Sequence, residues 1–265
     1  MKYFDSHAHY YDERFREERE EGVDKLIDTL LGSSVSYIIN VGTSPETSRQ
    51  AAEQAKKYDN MYTALGIHPS DTRLLSDIES ELSNIKEMIL NPENKCVLLG
   101  EIGLDYHYPD TDREQQMSYF ERQMLLAREL NIPVCIHDRE AHGDIMDVIR
   151  RHKGVRGILH SFSGSSEMAE ELVSLGYMIS FSGTLTFTNA RKPREVAARI
   201  PREWVLIETD CPYLAPHPVR GTLNHSGNLK YTNATLAAIW GVTEEESAAI
   251  TEANAKRFLG LDRGA

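Results

Sequence analysis

Cysteine is scarce in this chain: three residues among 265, Cys96, Cys135 and Cys211, with no CxxC pair. They cannot form an even-numbered disulfide framework, so reduced thiols and a cytoplasmic location are expected. Long hydrophobic runs are missing as well. No stretch approaches the roughly 18 apolar residues of a membrane span, and Met1-Lys2-Tyr3-Phe4-Asp5 lacks the apolar core of a signal peptide. Positive charge is the third shortage, with 29 Lys and Arg against 41 Asp and Glu and a net charge of -12. A protein that coats duplex DNA relies on many Lys and Arg releasing phosphate counterions. Broad duplex coating is therefore disfavoured, and any nucleic-acid chemistry needs local positive charge. What remains, 40% hydrophobic residues with 17 Gly and 10 Pro, is ordinary globular composition, neither disordered nor collagenous.

Short apolar runs alternate with amphipathic stretches along the whole chain. Strands are expected at the short apolar runs Tyr3-His7, Ser36-Val41, Tyr62-Ile67, Cys96-Glu101, Pro133-His137, Gly157-His160, Tyr177-Phe181 and Val205-Glu208. Helical patterns fall near Glu13-Leu31, Pro45-Tyr58, Ile78-Leu90, Arg113-Leu130, Ala141-His152, Ser166-Leu175, Pro193-Ile200, Asn233-Trp240 and Glu244-Phe258. Thr43-Ser44-Pro45-Glu46 supplies hydroxyl caps with proline near the first helical position, a helix-start signal. Eight strand-helix units in one chain predict an α/β fold, a (β/α)8 TIM-type barrel, as a single domain over residues 1–265. An open doubly wound sheet is the rival, but no GxGxxG follows the first strand.

Polar residues sit where these strands end. His7 and His9 close the first, His68 follows the third, Glu101 closes the fourth, His137 the fifth, His160 the sixth, and Asp210 follows the eighth. In a barrel, carboxyl ends share one rim, where loops build the active site. Alternation puts His7 with His9, Leu99 with Glu101, Cys135 with His137 and Ile158 with His160 on common faces. Imidazole nitrogens and carboxylate oxygens without thiolates suit a divalent-metal site and disfavour a structural zinc cage. A His-x-His pair reaches one ion, a carboxylate such as Glu101 can bridge two, and Asp210 is placed to take a proton from water and pass it to a leaving group.

Other positions leave more than one reading open. His68 is either a substrate or supporting contact or a structural turn residue. Arg139, two residues past His137, is a phosphate or carboxylate clamp or a surface salt bridge. Asp5 either orients a ligand or hydrogen-bonds within the barrel floor. His107, His142, His152, His217 and His225 read as loop or helix-surface residues, and Asp12 to Glu21 as a solvated, charge-laced helix entry.

The motifs carry a resemblance. Phe4-Asp5-Ser6-His7-Ala8-His9, Gly66-Ile67-His68-Pro69, Gly100-Glu101-Ile102-Gly103-Leu104-Asp105-Tyr106, Pro133 to Arg139, Leu159-His160-Ser161-Phe162-Ser163-Gly164, Ile207 to Leu214 and Asn254 to Gly260 together resemble the TatD family of metal-dependent hydrolases. The resemblance implies a (β/α)8 fold with one or two divalent ions, two being expected, Mg, Mn, Zn, Ni or Fe not being distinguishable. It implies His7, His9, Glu101, His137, His160 and Asp210 as metal ligands with Glu101 shared, and deoxyribonuclease activity, including 3'-to-5' exonuclease action. Hydrolysis of other esters such as aminoacyl-tRNA has been attributed to relatives. One place departs: Arg220-Gly221-Thr222-Leu223-Asn224 is present, but His225-Ser226-Gly227 stands where the family has Glu-Pro.

The expected protein is thus a metal-dependent deoxyribonuclease acting on single-stranded or terminal DNA, with Asp210 and Glu101 catalytic and His68, Arg139, Arg220 and Asn224 contacting substrate. No obligate protein partner is evident. A metal-dependent esterase or amidase for a small molecule or aminoacyl-tRNA is the alternative, and a non-catalytic metal-binding barrel the second. Two ions would bring up to four positive charges to an otherwise acidic protein.

Overall fold

The computed structural model describes residues 1–17, 22–75 and 77–262. Eight parallel strands lie in one sheet in chain order: β1 (Tyr3–Ala8), β2 (Val35–Val41), β3 (Met61–Leu65), β4 (Cys96–Asp105), β5 (Val134–Arg139), β6 (Gly157–Leu159), β7 (Tyr177–Phe181) and β8 (Val205–Ile207). The helices are α1 (Arg14–Glu17), α2 (Val23–Ser33), α3 (Pro45–Ala55), α4 (Ile78–Leu90), α5 (Arg113–Leu130), α6 (His142–Arg151), α7 (Ser166–Ser174), α8 (Arg191–Arg199), α9 (Leu229–Trp240) and α10 (Glu244–Leu259). This is the (β/α)8 TIM barrel that the alternation predicts. Of the expected helix Glu13-Leu31, α1 and α2 are the described parts; residues 18–21, with the end of the Asp12 to Glu21 charge run, lie outside the described residues.

Local chemistry explains the elements. Ile38, Ile39, Leu98, Leu99, Val134, Ile136, Ile158, Leu206 and their neighbours are buried on strands that read as apolar runs, as strands covered on both faces must. Ser44 caps α3: its hydroxyl accepts the Thr47 N–H, Thr47 Oγ1 accepts the Ser44 N–H at 2.8 Å, and Pro45 opens the helix. Thr243 and Glu246 form the same reciprocal box at α10, which ends on Gly260 at φ 71°. These caps satisfy donors that the first helical turn leaves unpaired.

The chain packs as two compact units, one of Met1–Ile39, Ser161–Val173 and Met178–Ala265, the other of Asn40–His160 and Ser174–Tyr177. In the first, β1 meets β8: Ser6 Oγ donates to the Ile207 carbonyl at 3.1 Å, the Asp210 N–H to the His7 carbonyl at 2.9 Å, and the His9 N–H to the Cys211 carbonyl at 2.8 Å. In the second, β3 to β6 pair in sequence, with an irregular register in β4 between Leu99 and Ile102. Bulges of this kind re-aim side chains next to functional sites. The strict alternation expected from Leu99 to Glu101 is interrupted at that point, and β4 runs on to Asp105, four residues beyond the expected strand end.

Candidate metal centre

The first unit brings His7, His9 and Asp210 together. His7 Nε2 and His9 Nε2 are 3.1 Å apart, and Asp210 Oδ1 lies 3.7 and 3.3 Å from them. Both imidazoles are buried. His9 Nδ1 is 3.2 Å from the Tyr11 hydroxyl, which leaves Nε2 facing the cluster. Asp210 holds φ 56°, a left-handed conformation that aspartate adopts more readily than most residues. Such backbone strain is typical of functional sites.

Beneath β1 a buried hydrogen-bonded cluster fixes this arrangement. Asp5 Oδ1 accepts from the Thr209 N–H at 2.9 Å and the His7 N–H at 3.4 Å; Oδ2 accepts from Thr209 Oγ1 and Ser226 Oγ, each at 2.6 Å. Ser226 Oγ is also 2.7 Å from the Tyr10 hydroxyl. Burial pushes the Asp5 carboxyl up to about 6, although all these donors oppose the rise. Asp5 thus hydrogen-bonds within the buried interior and also accepts from the His7 backbone.

The second unit brings His68, Glu101, His137 and His160 together. Glu101 Oε1 is 2.9 Å from His137 Nδ1, 2.9 Å from His160 Nε2 and 3.4 Å from His68 Nε2. His137 Nδ1 and His160 Nε2 are 3.1 Å apart. Close backbone packing delivers these side chains. A Cβ at Gly103 (φ 134°) would run into the His137 carbonyl, so only glycine lets β4 approach β5 there. Ahead of His68, buried Gln123 on α5 accepts the Ile67 N–H at 2.8 Å and donates to the Ile67 carbonyl at 3.0 Å.

Asp105 joins this set without having been singled out from the sequence. Its Oδ2 lies 3.3 Å from His137 Nε2. A carboxylate can only accept, so both ring nitrogens donate here, Nε2 to Asp105 and Nδ1 to Glu101 at 2.9 Å, and an ion would take the place of the proton on Nδ1. Burial is the largest influence on His137 and lowers its pKa, but hydrogen bonds to Asp105 and Glu101 outweigh it and the net shift is upward. Burial likewise pushes Asp105 up, and the His137 hydrogen bond, the His107 N–H and Arg139 bring it below its ordinary value. The available signal was that Asp105 lies an even number of residues past Glu101, but the register shift in β4 makes that spacing hard to use.

His68 differs from the others. Its Nδ1 accepts the Ser70 N–H at 3.1 Å, so in the neutral ring the proton is on Nε2, which donates. That suits a contact to an oxygen of Glu101 or of a substrate better than a metal bond. Arg139 is half exposed, with its guanidinium 3.9 Å from Asp105 and 5.5 Å from the Tyr108 ring centroid. Arg220 is exposed and lies 4.5 Å over the Phe187 ring. Asn224 is fully buried: its amide donates to the Thr209 and Tyr213 carbonyls and accepts from the His225 N–H and Asn228 Nδ2. It holds the loop after β8. His152, expected on a helix surface, is instead buried at the end of α6, with Nε2 2.5 Å from Glu121 Oε2. An internal carboxylate partner accounts for that burial.

Both donor sets suit a divalent cation. Ligands about 2.0–2.1 Å from a tetrahedral ion lie roughly 3.3 Å from one another, and the separations here run from 2.9 to 3.7 Å. The donors are nitrogen and oxygen only, and four of the six, His7, His9, Glu101 and His160, are buried; polar groups gathered this closely away from water are costly, and a cation relieves that cost. The three thiols are elsewhere in chemical character: Cys135 and Cys211 are buried, and burial pushes Cys96 up to about 12. No helix among the described residues is long and apolar enough to cross a membrane.

Comparison with known proteins places the chain among metal-dependent hydrolases. The family model described as TatD related DNase matches residues 4–260. The chain is similar to the uncharacterized metal-dependent hydrolase YabD of Bacillus subtilis, 39% identical over 98% of this chain and 99% of that protein. It is also similar to the uncharacterized metal-dependent hydrolase YcfH of Escherichia coli K12, 34% identical over 97% and 96%. Among solved structures, the TatD homologue YjjV of Escherichia coli K12 superposes with a TM-score of 0.86 at 28% identity, covering 97% of each chain.

Proposed function

Because the chain belongs to the TatD-related DNase family and is a metal-dependent hydrolase, we propose that it hydrolyses phosphodiester bonds in DNA, releasing nucleotides from single-stranded 3' ends. The observation that carries the reading is Arg139, a half-exposed guanidinium beside Asp105 and hence beside His137. A fork of donors near the His137 imidazole suits a phosphate, which an ester carbonyl does not require.

His7, His9 and Asp210 would hold one ion; Glu101, His137 and His160 would hold a second. A divalent ion supplies Lewis acidity to a phosphoryl oxygen and lowers the pKa of water towards neutrality. The chain's own groups do the rest. Arg139, with Arg220 as a second candidate, neutralises and orients the phosphate. His68 donates from Nε2 to a substrate oxygen. Asp210 accepts a proton at a carboxylate oxygen and returns it to the leaving oxygen. With a net charge of -12, binding of DNA depends on these local cations.

The test is hydrolysis of single-stranded DNA, duplex DNA, aminoacyl-tRNA and simple esters, with Mn or Mg and with chelator. Metal-dependent release of mononucleotides from single-stranded 3' ends is the expected result. Turnover of aminoacyl-tRNA or esters alone overturns the DNase reading and leaves the metal-dependent hydrolase.

A further inference from the structure

A cavity of 430 Å³ opens in the second unit between the segment after His68 and the start of α5. The 3-10 helix Pro69–Leu74, immediately following His68, forms one wall, and residues Tyr108 to Gln116 form the other. Its volume falls in the range of small-ligand sites, about 300–1,000 Å³.

The cavity is tied to the metal centre by hydrogen bonds. Gln116 in its wall accepts the Asp105 N–H at 2.9 Å, and Thr111 Oγ1 donates to the Asp105 carbonyl at 3.3 Å. A second link runs through side chains. Tyr108 lies 5.5 Å from the Arg139 guanidinium, Arg139 is 3.9 Å from Asp105, and Asp105 is 3.3 Å from His137. An aromatic ring, a guanidinium and a set of imidazoles thus follow one another, the order in which a nucleotide presents its base and then the phosphate that carries the scissile P–O bond.

Charge decides what the cavity accepts. Asp110 and Asp112 line it, and its one arginine, Arg73, faces Asp110 at 3.9 Å. A phosphate is repelled there and drawn to Arg139 instead. The half-exposed Tyr108 ring offers a stacking face, while Ser70 and Gln115 add a hydroxyl and an amide to the lining. A neutral, planar, hydrogen-bonding ring meets all three conditions. We propose that this cavity is a nucleobase subsite, holding the base of the nucleotide whose phosphate lies at Arg139. The assignment rests on the DNase reading and adds to it the part of the substrate that is recognised.

Two single-stranded oligonucleotides test it, identical except that the 3'-terminal nucleotide carries thymine or no base. Wild-type protein with Mn should release the base-bearing nucleotide with roughly tenfold higher kcat/KM, stacking of one base on one aromatic side chain being worth about that much. Tyr108→Ala should lose that preference through KM, and Tyr108→Phe should keep it. Equal wild-type kcat/KM on both oligonucleotides, or a Tyr108→Ala variant that keeps the preference, overturns the subsite. If neither oligonucleotide is cleaved, the DNase reading fails by itself, and binding decides the cavity. Thymidine at millimolar concentration should perturb wild-type NMR signals and not those of Tyr108→Ala; no perturbation of the wild type overturns the subsite.

Discussion

His137 and Asp105 face each other at 3.3 Å, Nε2 to Oδ2, and that contact determines which nitrogen of His137 is turned towards Glu101. Carboxylates that orient a metal-ligating imidazole typically contribute about 10- to 100-fold in metal affinity or activity. Asp105→Ala should weaken Mn binding by that factor while His137 is still present. Calorimetric titration of the apoprotein checks it, and wild-type affinity would remove Asp105 from the centre.

Asp210→Asn keeps the side-chain shape and a residue that tolerates the left-handed backbone at φ 56°. The fold should survive, with unchanged far-UV circular dichroism. Turnover should fall by about 10²- to 10⁴-fold as the proton acceptor is lost. Near-wild-type turnover would exclude Asp210 as the base.

Removing metal should cost stability as well as activity. Ligation of buried donors that the unfolded chain cannot gather stabilises by about 2.7 kcal/mol at 100 times Kd, roughly 5–10 °C in Tm for a chain of this size. Dialysis against chelator should lower Tm by that amount, and added Mn or Zn should restore both Tm and hydrolysis. A Tm indifferent to metal would mean that the two donor sets bind none.

Acid stability should depend on Glu121. Burial pushes its carboxyl up, but His152 and Arg151 outweigh burial and hold it below its ordinary 4.5. A carboxyl depressed by folding stabilises above its unfolded pKa, and that contribution disappears as pH falls through the folded value. Glu121→Gln should therefore cost about 1–2 kcal/mol near pH 6, and the gap should narrow below about pH 4. Urea unfolding of both proteins from pH 3 to 7 measures this; a constant gap would contradict it.

Ser226, in the loop after β8, donates to buried Asp5 at 2.6 Å. Ser226→Ala leaves one Asp5 oxygen short of a donor and should destabilise by about 1–3 kcal/mol. Chemical denaturation checks this, and an unchanged midpoint would show that Asp5 is satisfied without the loop.

The sequence made the six expected ligands legible because parallel strands turn their carboxyl ends to one edge, and a polar residue after an apolar run stands out. His7, His9 and Asp210 do meet in one unit, and Glu101, His137 and His160 in the other. Asp105 was harder to read because the register of β4 shifts before Ile102, and strand periodicity does not reveal a bulge. His152 and Asn224 illustrate another limit. His152 reads as a helix-surface residue and Asn224 as a substrate contact until their partners, Glu121 in one case and the backbone of the loop after β8 in the other, are brought up by tertiary packing.

The meeting of β1 with β8 sets a timetable for biosynthesis. Asp5 and Thr209 are 204 residues apart, so the first strand made receives its closing partner among the last. At about 5–20 residues per second, β1 waits on the order of 10–40 s on a growing ribosomal chain with that edge unpaired. His7 and His9 exist throughout, but Asp210 does not, and the cluster they form is complete only after β8 emerges. An ion held by these three residues would thus be loaded late, downstream of nearly all of translation.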